Sequence, residues 1–536
     1  MDTNRRRFFK RASFVAAATA AAPFVARSSG SDKAEAGQKP SRIIHIVSDG
    51  MSAGTLSCAD QLSLITRGRG LTWMALCRRE DARMGWMETR SLNSLVTDSA
   101  AAASSWGSGV RVNNGVINQT SKGVALKTLY ELFGQAGWKR GLVTTAELTH
   151  ATPAGFATAV SKRGMGTAIA KQYLERRIEV LLGGGGRHFE KDYRLDKRDL
   201  LAEFGSAGYR VMRTQSELSV ASTGMPWLGV FTPGHLPYAL DHVADAKLRA
   251  DVPTLASMTA AALRRLGGEE RFILQVEGAR IDHACHNNDA AAALQDQIAL
   301  DEAIDVCIQY QQQYPETLVV MTTDHGNANL GLNGVGDSYS DSTKALKRVA
   351  DVKSSFAALY KPLKRRPAVD APEVEKDDEE EKKKEAAKSN EQKDREAIQR
   401  KKDEENVATP TEIIELVRAA TGYRMPYRKA EVLRMHFSNA GESLHDMRKA
   451  DVCALGDVMA NHLGIGFVGT VHTSDHVPVL ALGPGAGKFA GFLKNTDIFH
   501  AYTSLAGIDF RNPEEPLVAA GPEAHQVERI SEYLLA

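Results

Sequence analysis

Three apolar runs in this chain stop abruptly at charged or metal-ligating side chains, which restricts the possible fold more than any other feature. IIHIVSDGM ends in Asp49. FILQVEGARIDHACH delivers Glu277, Asp282, His283 and His286 within ten residues, and TLVVMTTDHGNAN ends in Asp324 and His325. Runs this rich in Ile, Val and Leu read as strands buried on both faces, the habit of parallel sheets covered by helices. In an open parallel sheet the carboxyl ends of the strands form the edge where ligands sit. Three strands that each aim an acid at one edge make a site for several metal ions and point to hydrolytic chemistry.

The rest of the pattern agrees with that frame. RGLVTTA and IEVLL are further strand-like runs. The stretches 127–136, 167–176, 252–266 and 290–312 between the runs read as helices. The expected fold class is therefore α/β, a central mostly parallel sheet flanked by helices on both faces. No internal repeat is visible. One segment departs from this pattern: residues 373–406 carry almost no apolar side chain, and Pro367, Pro372 and Pro410 bracket them. Such a stretch cannot bury a core, and its i,i+4 acid–base spacing suits a solvated helix as well as disorder. It is expected to be a charged insertion, bounded at 362–409, within a catalytic domain that spans residues 37–536.

Charge and cysteine usage exclude several classes. Lys+Arg 67 against Asp+Glu 66 leaves a net charge of +1 over 536 residues, so bulk charge argues for neither nucleic-acid nor acidic partners. The five cysteines are scattered and form no CxxC, so they are not a disulfide framework. Cys285 lies between Asp282 and His286, and on a helical turn it points away from that pair.

The first 36 residues read as an export signal. Arg5-Arg6 within NRRRFFK resembles the twin-arginine consensus, and an Ala-rich apolar stretch from Ala12 to Ala26 follows. That stretch is too short and too weakly apolar for a stable membrane anchor. Ala34-Glu35-Ala36 offers an A-x-A cleavage site, so the mature chain should begin near Gly37 and work in the periplasm or the medium.

VTDSAAAASSWGSGV puts Asp98 and Ser99 directly before an Ala-rich helix. A hydroxyl there meets the positive end of the helix dipole, which favours an approaching phosphate. Taken alone, either residue reads as only an N-cap. The strand-end carboxylates decide for the nucleophile, because a bound metal makes such a hydroxyl reactive at ambient pH.

With these blocks in view the chain resembles the alkaline phosphatase family, from about Ser41 to the C-terminus with the charged segment interrupting. The blocks are TDSA at residues 97–100, TTAELTHATPAGFATAVSKR, QVEGARIDHACH, TTDHGNA and the final VHTSDHVPV, in that order. The resemblance implies two zinc ions. One would be held by Asp282, His286 and His472, and the other by Asp49, Asp324 and His325. It implies a magnesium held by Asp49, Thr152 and Glu277, with Ser99 as nucleophile and Arg163 clamping the phosphate. The i,i+4 spacing of Asp282 and His286 and the adjacency of Asp324 and His325 support two of these groups independently. Oxygen and nitrogen donors without sulfur suit a hydrolytic zinc.

His150 and His283 stand where some bacterial members carry Asp and Lys. Both are expected outside the direct ligands, touching water and phosphate. Their imidazoles soften the third site's preference for magnesium, so zinc or cobalt is the alternative occupant. His472, of the His-Thr pair, is preferred as ligand over His476. His45 reads as a packed core residue, and His188, His235 and His242 carry no functional expectation.

The activity implied is hydrolysis of small-molecule phosphate monoesters through a phosphoserine, by a chain that relatives suggest is a homodimer. A phosphodiesterase or sulfatase of the same superfamily would share the metal carboxylates, but the C/S-x-P-x-R context of sulfatases is absent around Ser99. The Thr152/Glu277 pair favours monoesters over diesters. An inactive phosphate- or metal-binding protein is the alternative of another class, and every catalytic position is intact against it.

Overall fold

The computed structural model describes residues 39–364, 407–438 and 452–514. The expected leader and the charged run 373–406 lie outside the described residues. The centre is a ten-stranded sheet whose strands are β1 (Arg42–Ser48), β2 (Arg83–Met87), β3 (Lys139–Glu147), β4 (Val180–Gly184), β5 (Arg210–Met212), β6 (Trp227–Val230), β7 (Phe272–Gly278), β8 (Thr317–Thr322), β13 (Val477–Leu482) and β14 (Gly491–Leu493). Two small ladders complete the strands, β9 (Gly326–Asn327) with β12 (His472–Thr473) and β10 (Gly331–Leu332) with β11 (Ile465–Gly466).

Strand order is β14-β2-β13-β8-β1-β7-β3-β4-β6-β5, and β13 alone runs against its neighbours. The five strands expected from their apolar runs all form. The four expected helices appear as Leu129–Gln135, Gly166–Glu175, Leu255–Leu266 and Ala290–Gln313. Alternation along β1 shows why both faces must be covered. Ile44 and Ile46 enter one apolar core, Ile43 and Val47 the other, and all four are fully buried. Each such burial contributes about 1.5–3 kcal/mol, which offsets the cost of holding acids at the end of the same strand. His45 packs on the second face among Trp106, Phe156 and Tyr502, with Nδ1 2.8 Å from the Tyr502 hydroxyl. Burial pushes its pKa down to about 3, as befits a neutral core residue.

The expected insertion is narrower than 362–409. Leu363, in the helix Phe356–Lys364, is fully buried, and the returning Val407 and Ala408 are buried too. Ala408 N donates to Leu363 O at 2.9 Å, so the chain leaves and re-enters the body at adjacent points. Prolines and charge mark the segment only roughly; the apolar side chains on either side set its true base. Deleting residues 373–406 with a short Gly/Ser linker should leave activity and metal content intact and change unfolding free energy by about 1 kcal/mol or less, since loop closure depends weakly on length. Thermal melts and metal analysis check this. A variant that fails to fold would mean the segment packs on the body or on a second subunit.

Candidate active site

The sheet order brings the predicted residues together. β8, β1, β7 and β3 are consecutive neighbours, and their carboxyl ends carry Asp324-His325, Asp49, Glu277 and the Glu147–Thr152 turn. Register sharpens this: Val47 pairs with both Glu277 and Thr322, so Asp49 and Asp324, each two residues further on, leave the sheet side by side. Because β13 is reversed, its amino end lies at the same edge. His472, just before it, is held there by pairing with Asn327 across β12 and β9.

Gly50 makes the approach possible. Its φ is +71°, and a Cβ there would lie 2.5 Å from Asp282 Oδ1 and 2.8 Å from Asp282 Cα, so only glycine lets β1 end against the helix Arg280–His286. Asp282 and His286 follow one another on that helix at 3.3 Å. His472 Nε2 is 3.7 Å from Asp282 Oδ1 and 3.1 Å from His286 Nε2. Both histidines donate Nδ1–H to backbone carbonyls, His286 to Thr470 O at 2.6 Å and His472 to Thr97 O at 2.9 Å. That tautomer turns two Nε2 lone pairs toward each other beside a carboxylate, an arrangement that a cation resolves.

A second group joins Asp49, Asp324 and His325, and a third joins Asp49, Glu277 and His150; within each, the ligand atoms lie within 4.8 Å of one another. Thr152, fully buried, sits beside Glu277 in the helix Ala151–Ala157. His150 thus stands closer than the outer position expected for it. It directly precedes that helix, which carries its ring inward with Thr152. His283 remains further out, its Nδ1 accepting from Arg280 Nη1 at 2.8 Å.

Burial makes these acids costly as they stand. Both carboxylate oxygens of Asp49 and Oε1 of Glu277 are buried without a hydrogen-bond partner among the described residues. Uncompensated buried charge of this kind costs several kcal/mol per ion. Burial, then the charges of Asp324, Asp282 and Glu277, push the Asp49 pKa well above the usual carboxylate range. Burial likewise raises Glu277, with His150 and Thr144 partly opposing it. Burial alone would raise Asp282, but His286, His472 and His325 together hold it well below its ordinary value. Hard carboxylates with imidazole nitrogens and no sulfur fit divalent cations, and the orphaned oxygens are the positions cations would satisfy.

Ser99 is the first residue of the helix Ser99–Ser108, and Asp98 is its N-cap, accepting from Ala101 N at 2.9 Å. The cap role therefore falls to Asp98 and leaves the Ser99 hydroxyl free to face the groups, 3.1 Å from His325 Nε2. The helix is pressed onto Ala151–Ala157 through small residues: a Cβ on Gly155 would fall 2.5 Å from Ala103 Cβ. Arg163 reaches the same place, its Nη1 donating to Asp98 Oδ2 at 3.1 Å and its Nη2 lying 3.2 Å from His150 Nε2.

Cys285 points away, its Sγ 4.0 Å from Thr55 Oγ1. His476 is exposed and rests its ring on Phe492, whereas His472 belongs to the site.

Four contributors escaped the sequence reading. Asn327 Nδ2 donates to Asp282 Oδ1 at 2.5 Å, and Thr144 Oγ1 to Glu277 Oε2 at 2.5 Å. Asp98 orients Arg163 as well as capping the helix. His235 lies against His283, ring centroids 4.5 Å apart. Asn327 and Thr144 lay inside motifs already singled out, but nothing in TPGHLP marked His235.

Comparison with known proteins points one way. A family model described as alkaline phosphatase matches residues 41–508. Alkaline phosphatase 3 of Bacillus subtilis is 30% identical over 412 residues, 75% of each chain. Streptomycin-6-phosphate phosphatase of Streptomyces griseus is 32% identical over 337 residues, covering 54% of this chain and 75% of that protein. The crystal structure of Thermus thermophilus alkaline phosphatase superposes with a TM-score of 0.77 at 30% identity, covering 92% of this chain and 96% of that one.

Proposed function

Because the chain belongs to the alkaline phosphatase family, a family of metal-dependent phosphomonoester hydrolases, we propose that it works through a phosphoserine at Ser99, with two zinc ions and one magnesium. Asp282, His286 and His472 would hold one zinc, and Asp49, Asp324 and His325 the other. Asp49, Thr152 and Glu277 would hold the magnesium, with His150 beside them. When bound, such cations supply Lewis-acid charge that offsets the negative charge of the phosphoryl group and eases deprotonation of a hydroxyl. The observation that carries the reading is Asp49, shared by two groups with both oxygens buried and unpartnered, next to a helix-end serine.

The chain's own residues do the rest. Ser99 Oγ loses its proton and attacks phosphorus in line; the Oγ–P bond forms as the bond to the alcohol oxygen breaks, and the alcohol leaves with a proton. The dipole of the Ser99–Ser108 helix favours the dianion at this position. Arg163, braced by Asp98, donates two N–H bonds to equatorial oxygens as charge spreads over them. Water then attacks the phosphoserine from the face the alcohol left, the Oγ–P bond breaks, and Ser99 recovers its proton as inorganic phosphate departs. In this reading the diesterase, sulfatase and inactive alternatives give way. The test is metal content together with p-nitrophenyl phosphate turnover on protein beginning at Gly37, with acid-quench trapping of phosphate on Ser99. Turnover with no trapped serine would overturn the phosphoserine step.

We also propose that residues 1–36 are a twin-arginine leader, supported by Arg5-Arg6 and the Ala34-Glu35-Ala36 site, and that the working form is a homodimer in the periplasm or medium. No helix of the described residues is long and apolar enough to cross a membrane. Light scattering on the processed protein should give twice the mass of one chain; a monomer mass would reject the dimer.

At the third group, replacing His150 with Asp adds a hard anionic donor beside Glu277 and Thr152. Magnesium affinity should rise by about tenfold or more, the size of effect usual for changes next to a metal. Titrating magnesium into stripped, zinc-reloaded wild type and His150→Asp protein decides it. Coincident curves would show that His150 has no part in that site.

A further inference from the structure

Beside the third group stand three imidazoles, His150, His235 and His283. Their ring centroids lie 4.5 Å apart for His235–His283, 5.5 Å for His150–His283 and 5.7 Å for His150–His235. The two contacts of His150 are edge-on, at 82° to His235 and 81° to His283. Each ring has a donor as neighbour. Arg163 Nη2 is 3.2 Å from His150 Nε2, Arg280 Nη1 is 2.8 Å from His283 Nδ1, and the Glu147 backbone N–H donates to His235 Nδ1 at 3.1 Å. Guanidinium and amide groups can only donate, so the contacts of His235 and His283 favour neutral rings there.

His235 is the best anchored of the three. Its loop is tied on both sides by backbone bonds: Gly185 N donates to Gly234 O at 2.7 Å, and Leu236 N to Thr145 O at 2.9 Å. Its ring is thereby fixed to the strand end that also carries Glu147. It forms the wall against which His283 and, edge-on, His150 rest. Of these, His150 lies within ligand distance of Asp49 and Glu277.

We propose that His235 is a positioning residue for the third metal ion: its ring holds the His150–His283 pair so that an imidazole nitrogen is offered beside Asp49 and Glu277, which tilts that position from magnesium toward cobalt or zinc. This rests on the three-ion reading given above. The physical basis is donor chemistry, since imidazole suits cobalt and zinc whereas magnesium demands oxygen and water. A ring free to rotate offers that nitrogen only part of the time, and residues behind metal ligands typically change affinity by about 10–100-fold.

The experiment compares wild type with His235→Asn, which keeps an acceptor for the Glu147 N–H but has no ring, and with His235→Phe, which keeps a ring but no acceptor. Each protein, stripped and reloaded with zinc, is offered cobalt and magnesium in competition. Bound metals are counted by mass spectrometry, and cobalt is followed by its visible absorption. The expected result is a fall of about tenfold or more in cobalt-over-magnesium occupancy for His235→Asn, a smaller fall for His235→Phe, and unchanged zinc at the other two positions. Equal selectivity in all three proteins overturns the proposal, as does Asn retaining more cobalt preference than Phe. Loss of all three ions together would make His235 merely structural and also overturn it. If wild type itself takes up no third ion, the three-ion reading fails and this inference falls with it.

Discussion

Ser99→Ala is expected to lower p-nitrophenyl phosphate turnover by roughly a thousandfold or more, because it removes the atom that forms the covalent bond. Bound metals and Arg163 would still position the ester, so a small residual rate from direct attack by water should remain. Metal content should not change, since Ser99 belongs to none of the three ligand groups. The fold should tolerate the change, which deletes one hydroxyl contact with His325 at 3.1 Å, worth about 1 kcal/mol. No phosphate should be trapped on the variant after acid quench. Near wild-type turnover would reduce Ser99 to a helix-end residue and end the phosphoserine mechanism.

Asp49→Asn should have a comparable effect on activity for a different reason, and an opposite effect on stability according to metal. Asp49 belongs to two ligand groups at once, so losing its charge should empty both, leaving about one ion per chain and lowering turnover by roughly a thousandfold. Without metal, however, wild-type Asp49 is a fully buried carboxylate with neither oxygen hydrogen-bonded. Replacing a buried, unpaired charge by a neutral amide removes a desolvation cost of a few kcal/mol. In chelator, Asp49→Asn should therefore melt above wild type. In excess zinc and magnesium the order should reverse, because ions that bind only the folded state add about 4 kcal/mol each at a thousandfold over Kd. Differential scanning calorimetry in the two buffers checks the crossing. Parallel shifts without a crossing would mean that Asp49 is not a shared ligand.

Most of the site was legible because it was written at strand ends. A fully buried strand needs a continuous apolar run, and a carboxylate that ends such a run stands out against it, as Asp49 and Asp324 do. Asp282 and His286 were legible by helical spacing. His235 was not, because a loop histidine carries no periodicity and its neighbours His150 and His283 come from the turn after β3 and the helix after β7, joined only by tertiary packing. The second role of Asp98 was hidden behind its obvious first one, since a cap and an arginine partner ask for the same side chain. The base of the insertion was misjudged because charge pattern reports the solvated part of a segment, whereas Leu363 and Val407 are decided by what they pack on.

The direction of β13 was also unreadable, since VPVLAL is equally apolar either way, and that reversal has a consequence for biosynthesis. β13 lies between β8 and β2, with His472 at its amino end. As the chain emerges from the ribosome, β1, β7 and β8 can pair while this slot is still empty. Until Val477–Leu482 arrives, β8 presents an open edge, and open edges invite pairing with other chains. Closing the slot joins parts of the chain very distant in sequence, the kind of step that is slow in folding. It also brings in His472, so β8 and β2 are joined and the proposed first ligand set fills in the same late event. A newly made chain is thus most exposed to aggregation, and still without its chemistry, until Val477–Leu482 has been translated.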